Sequence, residues 1–203
     1  MNRIALPDGY TAVAPGRIAA VATYLEMTTP RALAPRELPS GVAIRHEAKP
    51  DLDWYRRLFR KVGEHWLWFS RLEMSDAELV AVLSDPLVEV RVLEVDCVEC
   101  GLLELDLRDP ADVELSFLGL TPDRMAKGLG GHLMETAIQR VCRNSPPPRF
   151  WLHTCTFDHP TALGFYMKYG FKPYRQVIEV KPDPRLSGLL PRSAAPQIPI
   201  IGD

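Results

Sequence analysis

An α/β (α+β) fold, a mixed and mostly antiparallel sheet flanked by helices, is predicted by three observations. Segments rich in β-branched and aromatic residues alternate with segments of helical period, in the order strands, two helices, a three-strand meander, helix, strand, helix, strand. The 203 residues suffice for one well-filled domain and are short for two. The nineteen prolines gather at 30–50, 146–148 and 182–199, marking edges rather than interrupting the periodic segments.

Ile18 to Met27 reads as the first strand and Val42 to His46 as a short second one. Leu52, Tyr55, Phe59 and Val62 recur at helical spacing after Pro50–Asp51, which suits a helix start. Ser75 and Glu78 have capping-box spacing ahead of a stripe of Leu79, Val82 and Leu83, and Pro86 ends that helix. Val88–Val95 and Gly101–Leu107 read as hairpin arms, with Val113–Leu120 as the next strand. After a glycine-rich turn, Leu129, Leu133, Ala137 and Val141 form one helical stripe, flanked by Met134 and Ile138. Arg149–Thr154 is the next strand. A short helix begins at Asp158 and Pro160, runs to Tyr169 and is closed by Gly170, and Tyr174–Val180 is the last strand. This gives one domain over 1–203, with its core at about 18–180. Residues 181–203 form a proline-rich, extended tail whose Leu189, Leu190, Ile198, Ile200 and Ile201 can dock on the domain or on a second subunit.

Charge is nearly balanced, 24 basic against 26 acidic side chains, which argues against a general nucleic-acid surface. No apolar run reaches the length of a membrane span and the opening MNRIALPDGY lacks a signal-peptide core, so a cytoplasmic protein is expected, with no nucleic-acid or membrane partner. The four scattered cysteines do not suggest a secreted disulfide framework. Cys97 and Cys100 have CxxC spacing but no second pair, so they read as incidental hairpin cysteines, and no metal is expected.

The turn TPDRMAKGLGG lies between a strand and a helix. Gly128, Gly130 and Gly131 let a ligand approach the backbone, and the helix behind them presents its positive end, the arrangement that binds phosphate. His132 and Leu133 follow Gly131 where a Walker loop needs Lys and Ser or Thr, and Leu133 fills the last glycine position of a dinucleotide fingerprint. The run Met125-Ala126-Lys127-Gly128-Leu129-Gly130 instead resembles the acyl-coenzyme A loop of the GCN5-related N-acetyltransferase superfamily, [QR]-x-x-G-x-[GA], with Met125 standing where Gln or Arg is usual. HPTALGFYMKYGF resembles that family's later helix: Tyr166 precedes the pair Gly170-Phe171, Ala162 is the small residue before it, and His159 stands where Asn is common. The likeness runs from Val88 to Val180, weakens toward Asp51 and is absent in the tail.

The resemblance implies an acyl-coenzyme A N-acyltransferase fold. It implies transfer of an acetyl group from acetyl-coenzyme A to a primary amine of a small molecule or peptide, without a metal. Met125, Ala126, Lys127, Gly128, Gly130 and Gly131 would hold the coenzyme, and the backbone of Leu118 and Leu120 its pantetheine arm. Arg124 and Lys127 would add charge near the phosphates, and Tyr166 would be the general acid for the coenzyme A sulfur. A non-catalytic acyl-coenzyme A-binding module is the alternative, a homodimer is a further expectation, and an interaction protein using the tail ranks last because the tail lacks a PxxP repeat.

Glu114 is the candidate general base, directly or through water. It is a carboxylate on an otherwise apolar strand, and alternation places it with Ser116, Leu118 and Leu120. Desolvation there would raise its pKa. Asp158 and His159 are read as caps of the last helix. For the acceptor amine, Trp54, His65, Trp66, Trp68 and Phe69 offer aromatic walls and Glu64, Glu73 and Glu104 offer charge, with no choice among them.

Overall fold

The structure, a computed structural model, describes residues 6, 8–31, 34, 36–143 and 148–202. The first five residues, Pro35, Pro146 and Pro147, which belong to segments discussed above, lie outside the described residues. Seven strands form one sheet: β1 Arg17–Met27, β2 Val42–Glu47, β3 Val88–Val95, β4 Val98–Asp106, β5 Asp112–Leu120, β6 Arg149–Cys155 and β7 Lys172–Pro182. Their order is β2-β3-β4-β5-β6-β1-β7, and every pairing is antiparallel except β5 with β6. The helices are α1 Leu52–Gly63, α2 Ser70–Glu73, α3 Asp76–Leu83, α4 Leu129–Val141 and α5 Ala162–Lys168. The mixed, helix-flanked sheet is as the sequence predicts.

Alternation along the central strands feeds two cores. Leu103, Leu105 and Leu115 join the predicted α4 stripe, with Phe150 and Phe171, on one face. Leu102 joins Tyr55, Phe59, Leu79 and Phe117 on the other, under α1 and α3. The predicted helix starts are present: Asp51 accepts the Trp54 N–H at 2.9 Å, and Ser75 and Glu78 close a reciprocal capping box. The hairpin turn is tighter than predicted. Asp96 and Cys97 both hold left-handed backbone (φ 50° and 63°), a two-residue loop that lets β4 begin at Val98 instead of Gly101.

The last segment is not merely extended. Leu190, Ala194 and Ala195 are buried in the core beneath α1. Arg185 organises them: it pairs with Asp183 at 2.7 Å, both almost wholly buried, and donates to the Ile198 carbonyl at 2.8 Å. Proline stretches lack repeating backbone bonds, so a side-chain hub substitutes for them here. Arg185→Ala strips Asp183 of its buried guanidinium partner and takes the donor from the Ala194 and Ile198 carbonyls, and is expected to cost about 3–5 kcal/mol of stability, read by urea denaturation; a loss inside error would detach this segment from the cooperative unit.

Candidate active site

Two irregularities in β5 make the site. Glu104 pairs with Phe117 but Leu105 pairs with Leu115, so β5 carries one extra residue, a bulge at Ser116. Pairing with β6 ends at Glu114–Trp151, so from Leu115 onward the two strands part company. A wedge opens between them, and the edge of β5 facing it has no strand partner among the described residues, leaving backbone groups there for a ligand.

The bulge overturns one expectation. Leu118 and Leu120 pack on the α4 face, whereas Phe117 packs on the α1 face. Glu114, opposite Asp106, belongs to the α1 face, with Glu104 and Phe117. Strict alternation would have placed it with Leu118; the extra residue flips the strand between them.

At the open end of the wedge, β5 runs through a 3₁₀ turn (Pro122–Arg124) into the glycine loop. Ala126 (φ 59°) and Gly128 (φ 77°) are left-handed, turning the chain so that α4 starts at Leu129 with Gly128 as its N-cap. No side chain among the described residues caps that end; the Gly131 N–H turns back to the Gly128 carbonyl at 3.1 Å, which leaves the amides of Leu129 and Gly130 for an anion. A Cβ on Gly130 would sit 3.8 Å from Phe165 and 3.9 Å from Leu120, ordinary contact distances. Gly131 is tighter, its Cβ position only 2.7 Å from the Tyr169 hydroxyl and 2.8 Å from Arg36. Lys127 donates to the Asp123 carbonyl at 3.0 Å and Arg124 lies 3.2 Å from the Asp123 carboxylate, so both cations flank the loop.

Behind the loop, α5 carries Tyr166 into the same space. Met125, Ala126, Gly128, Gly130, Gly131, Leu118, Leu120, Glu114 and Tyr166 all border one cavity of about 860 Å³. Lys127 does not line it. Tyr166 is buried against Phe165 and Phe171, and its hydroxyl has no hydrogen bond among the described residues. Burial, and secondarily the Asp158 carboxylate, hold its pKa well above that of an ordinary phenol.

Three carboxylates meet on the α1 face of β4 and β5. Glu104 is wholly buried, accepting from the Tyr55 hydroxyl and from Arg71 at 2.6 Å. Asp106 is held by Arg108 at 2.9 Å. Glu114 has no hydrogen-bond or ion-pair partner among the described residues. Burial, and then the nearby Asp106 charge, push its pKa up to about 7.

Asp158 does not cap α5, whose N-cap is Thr161 with no side-chain bond. It accepts instead from Thr154 Oγ1 (2.7 Å), the Cys155 N–H (2.8 Å) and Trp68 Nε1 (3.2 Å), tying the end of β6 to the α1–α2 connection. His159 accepts from the Thr161 N–H at 3.2 Å, in the turn ahead of α5. Of the suggested acceptor residues, Trp66, Trp68, Phe69 and Glu73 line the cavity. Trp54 bonds Glu99 elsewhere, and His65 and Glu64 border a separate, smaller pocket. Sequence reasoning missed His153 and Glu179, brought to the cavity by β6 and β7, because strand register across the sheet carries no local signal. Cys97 and Cys100 are free, and no group of three or more metal-ligating side chains occurs among the described residues. No described helix is long and apolar enough to cross a membrane.

No family model matches the sequence, and no curated protein matches it. Among solved structures, the chain is similar to a GCN5-related N-acetyltransferase from Sphaerobacter thermophilus (TM-score 0.60, 15% identity, 83% of this chain and 52% of that one). It is also similar to a GCN5-related N-acetyltransferase from Kribbella flavida (TM-score 0.51, 16% identity, 85% of this chain and 63% of that one). A third is an aminoglycoside acetyltransferase from an uncultured soil metagenomic sample, in complex with trehalose (TM-score 0.55, 19% identity, 70% of this chain and 96% of that one). The chain thus spans about half the length of the first of these and under two thirds of the second. The parted β5 and β6, the glycine loop opening α4 and these likenesses together give this chain the fold of the GCN5-related N-acetyltransferases.

Proposed function

We propose that this chain is an N-acetyltransferase that carries an acetyl group from acetyl-coenzyme A to a primary amine of a small molecule or peptide, in the cytoplasm. The observation that carries the reading is the convergence on one cavity of an uncapped glycine helix start, an unpaired strand edge, a buried tyrosine and a carboxylate whose pKa is about 7. The residues present fit the coenzyme: the amides of Leu129 and Gly130 can meet an anion at the start of α4, and the β5 edge at Leu118 and Leu120 offers backbone groups to an amide-bearing arm. When bound, acetyl-coenzyme A supplies an activated acyl group as a thioester.

Glu114 accepts a proton from the incoming ammonium or amine, directly or through water; a base with a pKa near the working pH suits that task. Tyr166 stays protonated and donates its O–H to the departing sulfur as negative charge develops there. The half-buried aromatic walls exclude water, which strengthens both interactions.

Gly130→Val tests the cradle. The Cβ position is tolerated by its neighbours, and Gly130 lines the cavity, so the added methyls take up space beside the amides that would meet the pyrophosphate. Calorimetry is expected to show coenzyme A affinity reduced at least about tenfold, about 1.4 kcal/mol, with an unchanged melting temperature. Unchanged affinity in a folded variant would remove the glycine loop from coenzyme binding.

A further inference from the structure

We infer that the acceptor is a primary amine carried on an aromatic or similarly planar apolar body with no carboxylate beside the amine, an arylalkylamine and not an α-amino acid. The inference rests on the acetyl-transfer reading above and names the substrate class of the same cavity.

The first observation is the wall. The α1–α2 connection bends at Leu67, a buried residue with left-handed backbone (φ 52°), a conformation that a branched side chain adopts at a cost and that tertiary packing must enforce. The residues on either side of that bend, Trp66 and Trp68, both line the cavity, joined by Phe69, Phe117 and Phe157. Trp68 is fixed by its bond to Asp158 and packs on Phe117 at 5.2 Å between ring centres. Trp66 is held edge-on against His159 at 5.2 Å. Rigid, flat surfaces of this kind match a flat ring better than a flexible or strongly hydrated chain.

The second observation is the charge left unsatisfied. Arg71 and Arg108 line the cavity but are committed, to Glu104 and Asp106, and the Arg71 Nε is sealed from solvent. Asp158 is occupied by three donors. Glu73, Glu114 and Glu179 line the cavity with no hydrogen-bond or ion-pair partner among the described residues, and Lys181 is the one cavity lysine to set against them. An ammonium is therefore the charge that this acidic lining can take. A ligand carboxylate would meet like charge and no free arginine, so the cavity discriminates against it by repulsion.

The test is calorimetric binding of 2-phenylethylamine, phenylalanine and spermidine to the full chain, alone and with coenzyme A. The first pair differs only by a carboxylate; spermidine carries charge without a ring. Phenylethylamine is expected to bind at least about tenfold more tightly than either, a gap of about 1.4 kcal/mol. Trp66→Leu, at a partly buried position, should weaken phenylethylamine several-fold and leave coenzyme A affinity unchanged. The double variant Glu73→Gln/Glu179→Gln should bring phenylalanine closer to phenylethylamine. The inference is overturned if phenylalanine or spermidine binds as well as phenylethylamine, or if both sets of variants leave the order and the gaps untouched. Thiol release from acetyl-coenzyme A is measured separately. Selective binding without release would sink acetyl transfer and leave the acceptor class standing, whereas release with indiscriminate binding would do the reverse.

Discussion

Replacing Tyr166 with phenylalanine is expected to lower kcat by about 10²–10⁴-fold, the span usual for loss of a general acid, with little change in KM for acetyl-coenzyme A. The change removes one oxygen. The ring stays buried against Phe165 and Phe171, so α5 and its packing persist. Because burial and Asp158 hold the phenol protonated far above neutrality, Tyr166 itself adds no limb to the pH profile below about pH 10. A variant with full kcat would make Tyr166 a packing residue, and the sulfur would have to be stabilised elsewhere.

Glu114→Gln is expected to lower kcat/KM by a comparable factor, about 10²–10⁴-fold above pH 7, and to remove a limb of the pH profile. The sign follows from the raised pKa of about 7. Below it the carboxyl holds its proton and cannot accept another, so wild-type activity climbs as pH rises through 7; the glutamine variant should lack that climb. The same shift has a stability consequence. The folded state holds this proton more tightly than the unfolded chain, so its contribution is fully present below the unfolded pKa, near 4.5, and is lost as pH rises through about 7. The variant should therefore be more stable than wild type at pH 8 while being less active, the pattern of a group kept for function at a cost to folding. Equal stability together with an unchanged pH profile would return Glu114 to an ordinary strand position.

Where local chemistry decides structure, the sequence was readable. The Leu129, Leu133, Ala137 and Val141 stripe is buried because helical period alone puts those residues on one side. The caps at Asp51 and Ser75 form because their acceptors lie within one turn of the amides they bind. Glycine spacing likewise located the loop, and Tyr166 reached the same cavity from about forty residues downstream.

The rest depends on pairings between distant residues. The Ser116 bulge is visible only in the register of β4 against β5, and it reverses which face Glu114 occupies. Glu104 offered a charge for the acceptor in the sequence, yet Tyr55 and Arg71 consume it in the fold. Asp158 sits at a helix-cap spacing but finds better partners in Thr154, Cys155 and Trp68. The tail's proline content masks a compact segment because its organising contacts come from one buried side chain, Arg185.

The proposed reaction moves an acetyl group from a thioester to an amine in this cavity. Its most direct test is a thiol-release assay with acetyl-coenzyme A and a panel of primary amines, with mass spectrometry of the amine product. Free coenzyme A and N-acetylated amine are expected in equal amounts, abolished by Tyr166→Phe and Glu114→Gln together. Tight binding of acetyl-coenzyme A with no release on any amine would contradict it and leave a coenzyme-binding module in its place.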